Sequence, residues 1–302
     1  MKKTLLSTIT ALLVAGSVTC AQEAAPKLDV SVQQWYKSGS FDYYLRYPAS
    51  PDPLSKVSAP QNRHMTMFKV QYNPDPTWFV RAEYGVTGTG NNGRGDDSDW
   101  MDDVDPDLVT DYGTMDFYGK ERMYTIDIGQ RIGHGRKHAT HFFVGWESNK
   151  TANELRNVVY HLIDGSPVGN RGQADLGSRL DGHFYGARLG IENNYRFDQK
   201  LSMDTSLVYR RLTAKAFGHW ANHSPAWNWV DRGKTWGYTV KTGFSYAFTQ
   251  DTSVSLGYRY SYAKANGADE VLDRVTDILY IPGDIDLRYV QRGYYFSFAH
   301  KF

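Results

Sequence analysis

The chain has 302 residues, with 34 basic and 33 acidic side chains and a formal net charge of +1. So even a balance argues against a bulk nucleic-acid binder, and no nucleic-acid partner is expected. Aromatic residues make up 15% of the chain, with 22 Tyr and 8 Trp. Beyond the N-terminus no apolar run reaches the roughly 18 residues that a spanning helix needs.

Residues 1–21 read as a secretory signal. Lys2 and Lys3 form a basic start, Leu5 to Val18 is mostly apolar, and Thr19-Cys20-Ala21 offers a small-residue cleavage site. Cleavage after Ala21 leaves one domain, 22–302, without the only cysteine and hence without a disulfide. A lipoprotein reading through Cys20 fits the preceding Ser17-Val18-Thr19 poorly.

The rest alternates apolar and polar residues with the period of a strand. A first segment covers 28–47, with Val30, Val32, Phe41, Tyr43 and Leu45 along it. A second covers 63–72. The third, 78–88, sets Phe79, Arg81, Glu83 and Gly85 against Val80, Ala82, Tyr84 and Val86. An apolar parity beside a charged one suits a wall with lipid outside and a polar lumen inside. Further segments fall at 120–132, 140–155, 180–195, 200–217, 235–249, 252–265 and 287–302.

The connections alternate strictly between short and long. Asn73-Pro74-Asp75-Pro76, 133–138, Phe197-Asp198 and Gln250-Asp251 are short. The stretches 48–62, 90–119, 156–179, 218–234 and 266–286 are long. Outer-membrane barrels have short periplasmic turns, long outer loops and an even strand count. Tyr294, Phe296, Phe298, His300 and Phe302 share one parity, as in a terminal barrel strand. The fold class is therefore all-β: a transmembrane antiparallel β-barrel of about ten strands in the outer membrane of a Gram-negative-type bacterium. A soluble β-sandwich would also alternate but would not need that aromatic ending.

One connection stands out. Gly93 to Asp111 reads GRGDDSDWMDDVDPDLVTD, with eight aspartates and almost no apolar periodicity, so it is expected to be a loop. Crowded carboxylates raise one another's pKa, and one left partly protonated near neutral pH serves as a general acid or base. A solvated acidic loop binding a divalent cation is the plainer reading. The Gly and final Glu of an EF-hand are absent, and no metal is expected. Arg94-Gly95-Asp96 spells an adhesion tripeptide, a match too short to carry weight.

Asp97-Ser98-Asp99-Trp100-Met101-Asp102, followed by Asp105-Pro106 and Thr110-Asp111, resembles the omptin family of outer-membrane proteases. Gly145-Trp146-Glu147-Ser148, Gly165-Ser166 with Asn170-Arg171, and Tyr195-Arg196 resemble further family segments, so the likeness spans nearly the whole mature chain. The resemblance implies an endopeptidase in which a carboxylate pair and an Asp–His pair face each other across the barrel mouth and activate a water. Asp97 and Asp99 match the first pair. The family's Asp-x-His falls on Ala221-Asn222-His223, so its Asp is missing, and His219 and His223 both stand as candidate bases. Asp231 is a nearby acid that offers compensation from another direction.

The family selects basic residues with buried acids, here Asp111 by its Thr-Asp context and Asp42 by position. Basic peptides or host proteins are the implied substrates and a monomer the implied state. No cofactor is implied, but lipopolysaccharide is, as an activator bound by outward basic residues, with Arg188, Arg210 and Arg211 as candidates. A catalytically inactive adhesin or structural barrel is the alternative that the missing Asp favours. A small porin is a third reading.

Overall fold

The computed structural model describes residues 28–46, 53–100, 105, 108–135, 137–172, 177–221, 226–273 and 278–302. The signal segment, Cys20, Met101, Asp102, Asn222 and His223 lie outside the described residues. The strands are β1 (Leu28–Arg46), β2 (Pro53–Pro60), β3 (His64–Tyr72), β4 (Trp78–Thr87), β5 (Gly90–Asp99), β6 (Asp111–His134), β7 (His138–Ile163), β8 (Ser166–Gly172), β9 (Arg179–Arg196), β10 (Leu201–Trp220), β11 (Trp227–Ala247), β12 (Thr252–Asp273) and β13 (Ile278–Lys301). β2 with β3, and β4 with β5, are halves of single barrel strands, and β8 is a hairpin arm on β7. Among the described residues this makes a ring of ten antiparallel strands. It closes where β1 pairs with β13, from Asp29 opposite Lys301 to Leu45 opposite Ile285.

The strands are longer than a bilayer requires. A spanning strand needs about 9–11 residues, whereas β6, β7, β12 and β13 run 24, 26, 22 and 24. The outward row nearer the termini is apolar and exposed. It includes Val32, Phe68, Val80, Ile126, Ile128, Val144, Leu189, Leu207, Val240, Leu256 and Phe296, bordered by Tyr36, Trp146, Trp236 and Tyr294. That belt suits lipid and its interface. Above it, away from the termini, the wall continues as sheet.

This corrects the expected loops. Much of 90–119, 156–179, 218–234 and 266–286 is strand, and the acidic stretch up to Asp99 is β5. Above the belt the outward residues meet water, and in β5 the inward positions include Asp97 and Asp99, so in that strand both parities are polar and the period of two disappears.

The lumen has two zones. Within the belt it is filled with paired charges. Arg81 donates to Asp127 at 2.9 Å and to Glu192 at 2.8 Å, and Arg210 to Glu147 at 3.0 Å. Arg188 Nε lies 3.3 Å from Asp127. Higher up, Lys37 meets Glu121 at 2.6 Å, and Tyr289, Gln291 and Asn149 also donate to Glu121. Above this floor the interior turns apolar, with Phe41, Val57, Ala59, Met115, Phe117, Leu180, Phe184, Trp229 and Leu272 in one buried cluster. Ten strands leave a bore that side chains can fill.

Arg188 and Arg210 are therefore lumen residues, not the lipid contacts expected from the sequence; Arg211 does face outward. The lumen packing predicts closed behaviour in planar bilayers. Steady ion conductance would contradict it. Arg81→Met strips Asp127 and Glu192 of a buried partner and is expected to cost about 3 kcal/mol of stability, read as a lower urea midpoint of the folded barrel.

Candidate active site

The candidate site lies above the lipid belt, where β2, β5 and β6 run side by side. Register alone brings its acids together. Asp97 stands between Val57 and Gly113, and Asp99 between Ser55 and Asp111. Val57, Met115 and Phe117 on the same rows are buried inside the barrel, so Asp97, Asp99 and Asp111 belong to the inward row. Alternate residues point away: Arg94 lies 3.3 Å from Asp116, and Lys56 lies 3.6 Å from Asp96, on the outer wall. The adhesion tripeptide is thus held within β5 with both charges paired.

Gly95 permits this geometry. A Cβ there would fall onto the Ser58 carbonyl and the Phe117 ring. β2 can therefore pack close to β5 only with glycine at this position. Thr110 closes the stretch by donating its N–H to the Asp99 carbonyl at 2.9 Å and its hydroxyl to the same oxygen at 3.1 Å.

The Oδ1 of Asp97 is sealed from solvent without a hydrogen-bond partner. Burial, with Asp99, Asp96 and Asp111 nearby, pushes its carboxyl well above the usual range. Asp99 is raised as well, chiefly by burial, with a hydrogen bond from Ser55 working against the rise. Two neighbouring acids that both resist ionisation titrate as a pair, and the form holding one proton offers a donor beside an acceptor.

The facing wall is built by β10, β11 and β12. Its inward residues on the β10–β11 hairpin are Trp220, Trp227, Trp229 and Asp231; the Trp220 and Trp229 rings lie 5.4 Å apart. Asp231 is fully buried, and no N–H or O–H of the described residues reaches either of its oxygens. Its cross-strand partner is Glu270, also buried. Two carboxylates bond only when one keeps a proton, and burial holds Asp231 well above its ordinary range and Glu270 above its own. Tyr43 of β1 donates its hydroxyl to Glu270 at 2.7 Å.

The other expected site residues fall elsewhere. His219 is on the outward row, with Nδ1 2.7 Å from Asn228 Oδ1, so it does not face Asp97. His223 lies outside the described residues. Ala221 donates its N–H to Ser178. Asp42 is on the outer wall, 2.7 Å from Arg288 and hydrogen-bonded by Ser58 and Ser40. Its inward neighbour is Tyr43, because one step along a strand reverses the face. Glu270 was missed by sequence reasoning. Its only available signal was the alternation of Ala268, Glu270 and Leu272, within a stretch assigned to a loop.

The barrel superposes on the outer-membrane protease OmpT from Escherichia coli with a TM-score of 0.82, covering 93% of this chain and 99% of that one at 13% identity. The fold is that of an omptin barrel. The translocator domain of the autotransporter NalP from Neisseria meningitidis (TM-score 0.38, 8% identity, covering 100% of this chain and 96% of that one) and the Pseudomonas putida toluene transporter TodX (0.31, 8%, 97% and 93%) are far less similar and bear on nothing further. No family model matches the chain, and no curated protein does. At 13% identity the omptin likeness covers the fold alone; chemistry lives in the residues of the site.

The buried acids set a pH dependence. With folded pKa values above those of the unfolded chain, the folded barrel binds more protons over that interval, so stability falls as pH rises from about 4 through the folded values. Asp97→Asn with Asp231→Asn is expected to flatten this slope. Urea midpoints measured between pH 4 and 8 report it; an unchanged slope would contradict the assignment.

Proposed function

We propose that the protein is an omptin-like endopeptidase of the outer membrane, hydrolysing peptides with a water held by Asp97 and Asp99. The observation that carries this reading is the inward pairing of these two acids above the lipid belt, in a barrel of omptin fold. An ionised carboxylate of the pair orients the water, and a protonated one donates to the carbonyl oxygen, where charge develops.

Preference for basic residues rests on Asp111, which stands opposite Asp99. Asp42 has no part in it, being spent on Arg288. Lipopolysaccharide is the proposed lipid partner. Cross-strand register sets Lys150, His183 and Lys215 side by side, next to Trp146 and Tyr185, and a row of cations beside interfacial aromatics fits anionic headgroups.

The alternative is a catalytically silent surface barrel, favoured by the outward turn of His219 and by Ala221 at the family's Asp position. The deciding experiment refolds the barrel with lipopolysaccharide and incubates it with a mixed peptide library read by mass spectrometry. Cleavage beside Arg or Lys that Asp97→Asn with Asp99→Asn abolishes is expected. No cleavage by a folded barrel would leave the surface-protein reading. In an active barrel, Asp111→Asn should lower kcat/KM for Arg and Lys peptides about tenfold, the scale of one charge-assisted contact, and leave neutral peptides unaffected.

A further inference from the structure

Above the cation row of Lys150, His183 and Lys215, the outer wall meets neither lipid tails nor the packed lumen, so nothing in the fold asks it to be apolar. One face is apolar all the same. Register places Phe217 of β10 beside Val230 of β11, Val230 beside Val271 of β12, and Val271 beside Tyr280 of β13. All four point outward, 37%, 46%, 42% and 63% exposed, and Ile278, opposite Asp273, extends the stripe upward. Val230 stands six residues beyond Trp236 on β11, about 20 Å along the strand from the aromatic border of the belt. Lipid tails do not reach it, and the sugars and phosphates of headgroups are polar. Single exposed apolar residues are ordinary, but a stripe across four adjacent strands marks an interaction surface.

The charges beside the stripe identify what covers it. In the row below, Lys215 of β10 and Arg232 of β11 are basic, and Asp269 of β12 is acidic. In the row above, Asn228 of β11 stands next to Asp273 of β12. Along these rows the face is basic towards β10 and β11 and acidic on β12. Barrels of one kind share one orientation in a membrane, so two copies meet through a two-fold axis along the membrane normal. Such an axis between β11 and β12 sets β11 of each copy against β12 of the other. Arg232 of each copy then comes beside Asp269 of the other, which makes a square of alternating charge. The same axis brings Val230 against Val271. These are the smaller members of the stripe, with the larger Phe217 and Tyr280 at its sides, a profile that lets two convex walls close on each other. Lower on the same two strands, Trp236, Tyr238, Tyr260 and Tyr262 pack with ring centroids 5.6 to 5.8 Å apart and carry the contact down to the lipid.

We propose that the outer face of β11 and β12, flanked by β10 and β13, joins two copies of this chain side by side in a two-fold dimer. The monomer that the sequence resemblance implies leaves the stripe bare. An unlike partner would have to bring an acid to Arg232 and a base to Asp269, whereas a second copy supplies both. The dimer is independent of the hydrolase reading, since the acid pairs lie inside each barrel and the two mouths open the same way.

The test uses the full barrel in vesicles of phospholipid and lipopolysaccharide. Cys20 is the only native cysteine, so with Cys20→Ser each introduced cysteine reports its own surroundings. Val230→Cys, close to the axis, is expected to form a disulfide between copies under mild oxidation, while Arg94→Cys on the far wall is not. Arg232→Glu meets Asp269 twice across the axis and is expected to lower the cross-linked fraction of Val230→Cys about tenfold. Adding Asp269→Arg restores opposite signs and the cross-link, which separates pairing between copies from damage to the wall. Migration as a compact barrel on unheated gels checks each fold. Single-molecule photobleaching of the labelled native barrel at low density is expected to show two steps. One step per particle, equal cross-linking from Arg94→Cys, or a Val230→Cys cross-link that folded Arg232→Glu leaves unchanged overturns the dimer.

Discussion

The structure depends on the pairing of its first and last strands. Backbone N–H and C=O groups facing hydrocarbon have no water to bond, so a sheet in lipid is tolerable only as a closed ring. The β1–β13 ladder supplies that closure over seventeen residue pairs, continuing well above the lipid belt. Closure fixes the bore, and the bore fixes what the inward rows must be. At belt height they are charges that neutralise one another, such as Arg81 with Asp127 and Glu192. Higher up they are hydrocarbon.

That change of filling gives the acids above their character. A carboxylate over a water-filled pore would ionise freely. Asp97, Asp231 and Glu270 instead sit beside Val57, Trp229, Ala268 and Leu272, where ionisation loses its hydration. Burial in this packing is thus what keeps protons on these acids. The arrangement is costly, since each such acid opposes folding once deprotonated. An expense of this kind concentrates at functional sites.

The ring was legible in the sequence because lipid imposes a strong pattern. Val80, Tyr84, Ile126 and Ile128 had to be apolar, and their partners Arg81, Glu83 and Asp127 had to be polar, so the period of two survived. The acidic motif was legible for a different reason: Trp100 among aspartates makes a distinctive string. What was hidden depended on register. Asp42 and Tyr43 are adjacent in sequence, and nothing local says which faces inward; a residue's parity is decided by its whole strand and any bulge in it. His219 was misread for the same cause. Glu270 and Asp231 meet only because two strands align from 39 residues apart, and no string of residues carries that.

The ion pair that removed Asp42 from the site has another consequence. Arg288 and Asp42 lie on opposite sides of the closure seam, 246 positions apart in the chain, with Arg46 and Asp286 forming a second pair at 2.8 Å nearby. Contacts between such distant segments form late, after the rest of the sheet has been laid down. Interactions absent from the transition state act on the rate of unfolding rather than of folding. The two pairs therefore act as a clasp on the outer wall that reinforces the backbone ladder of the seam, adding to how long a finished barrel stays shut.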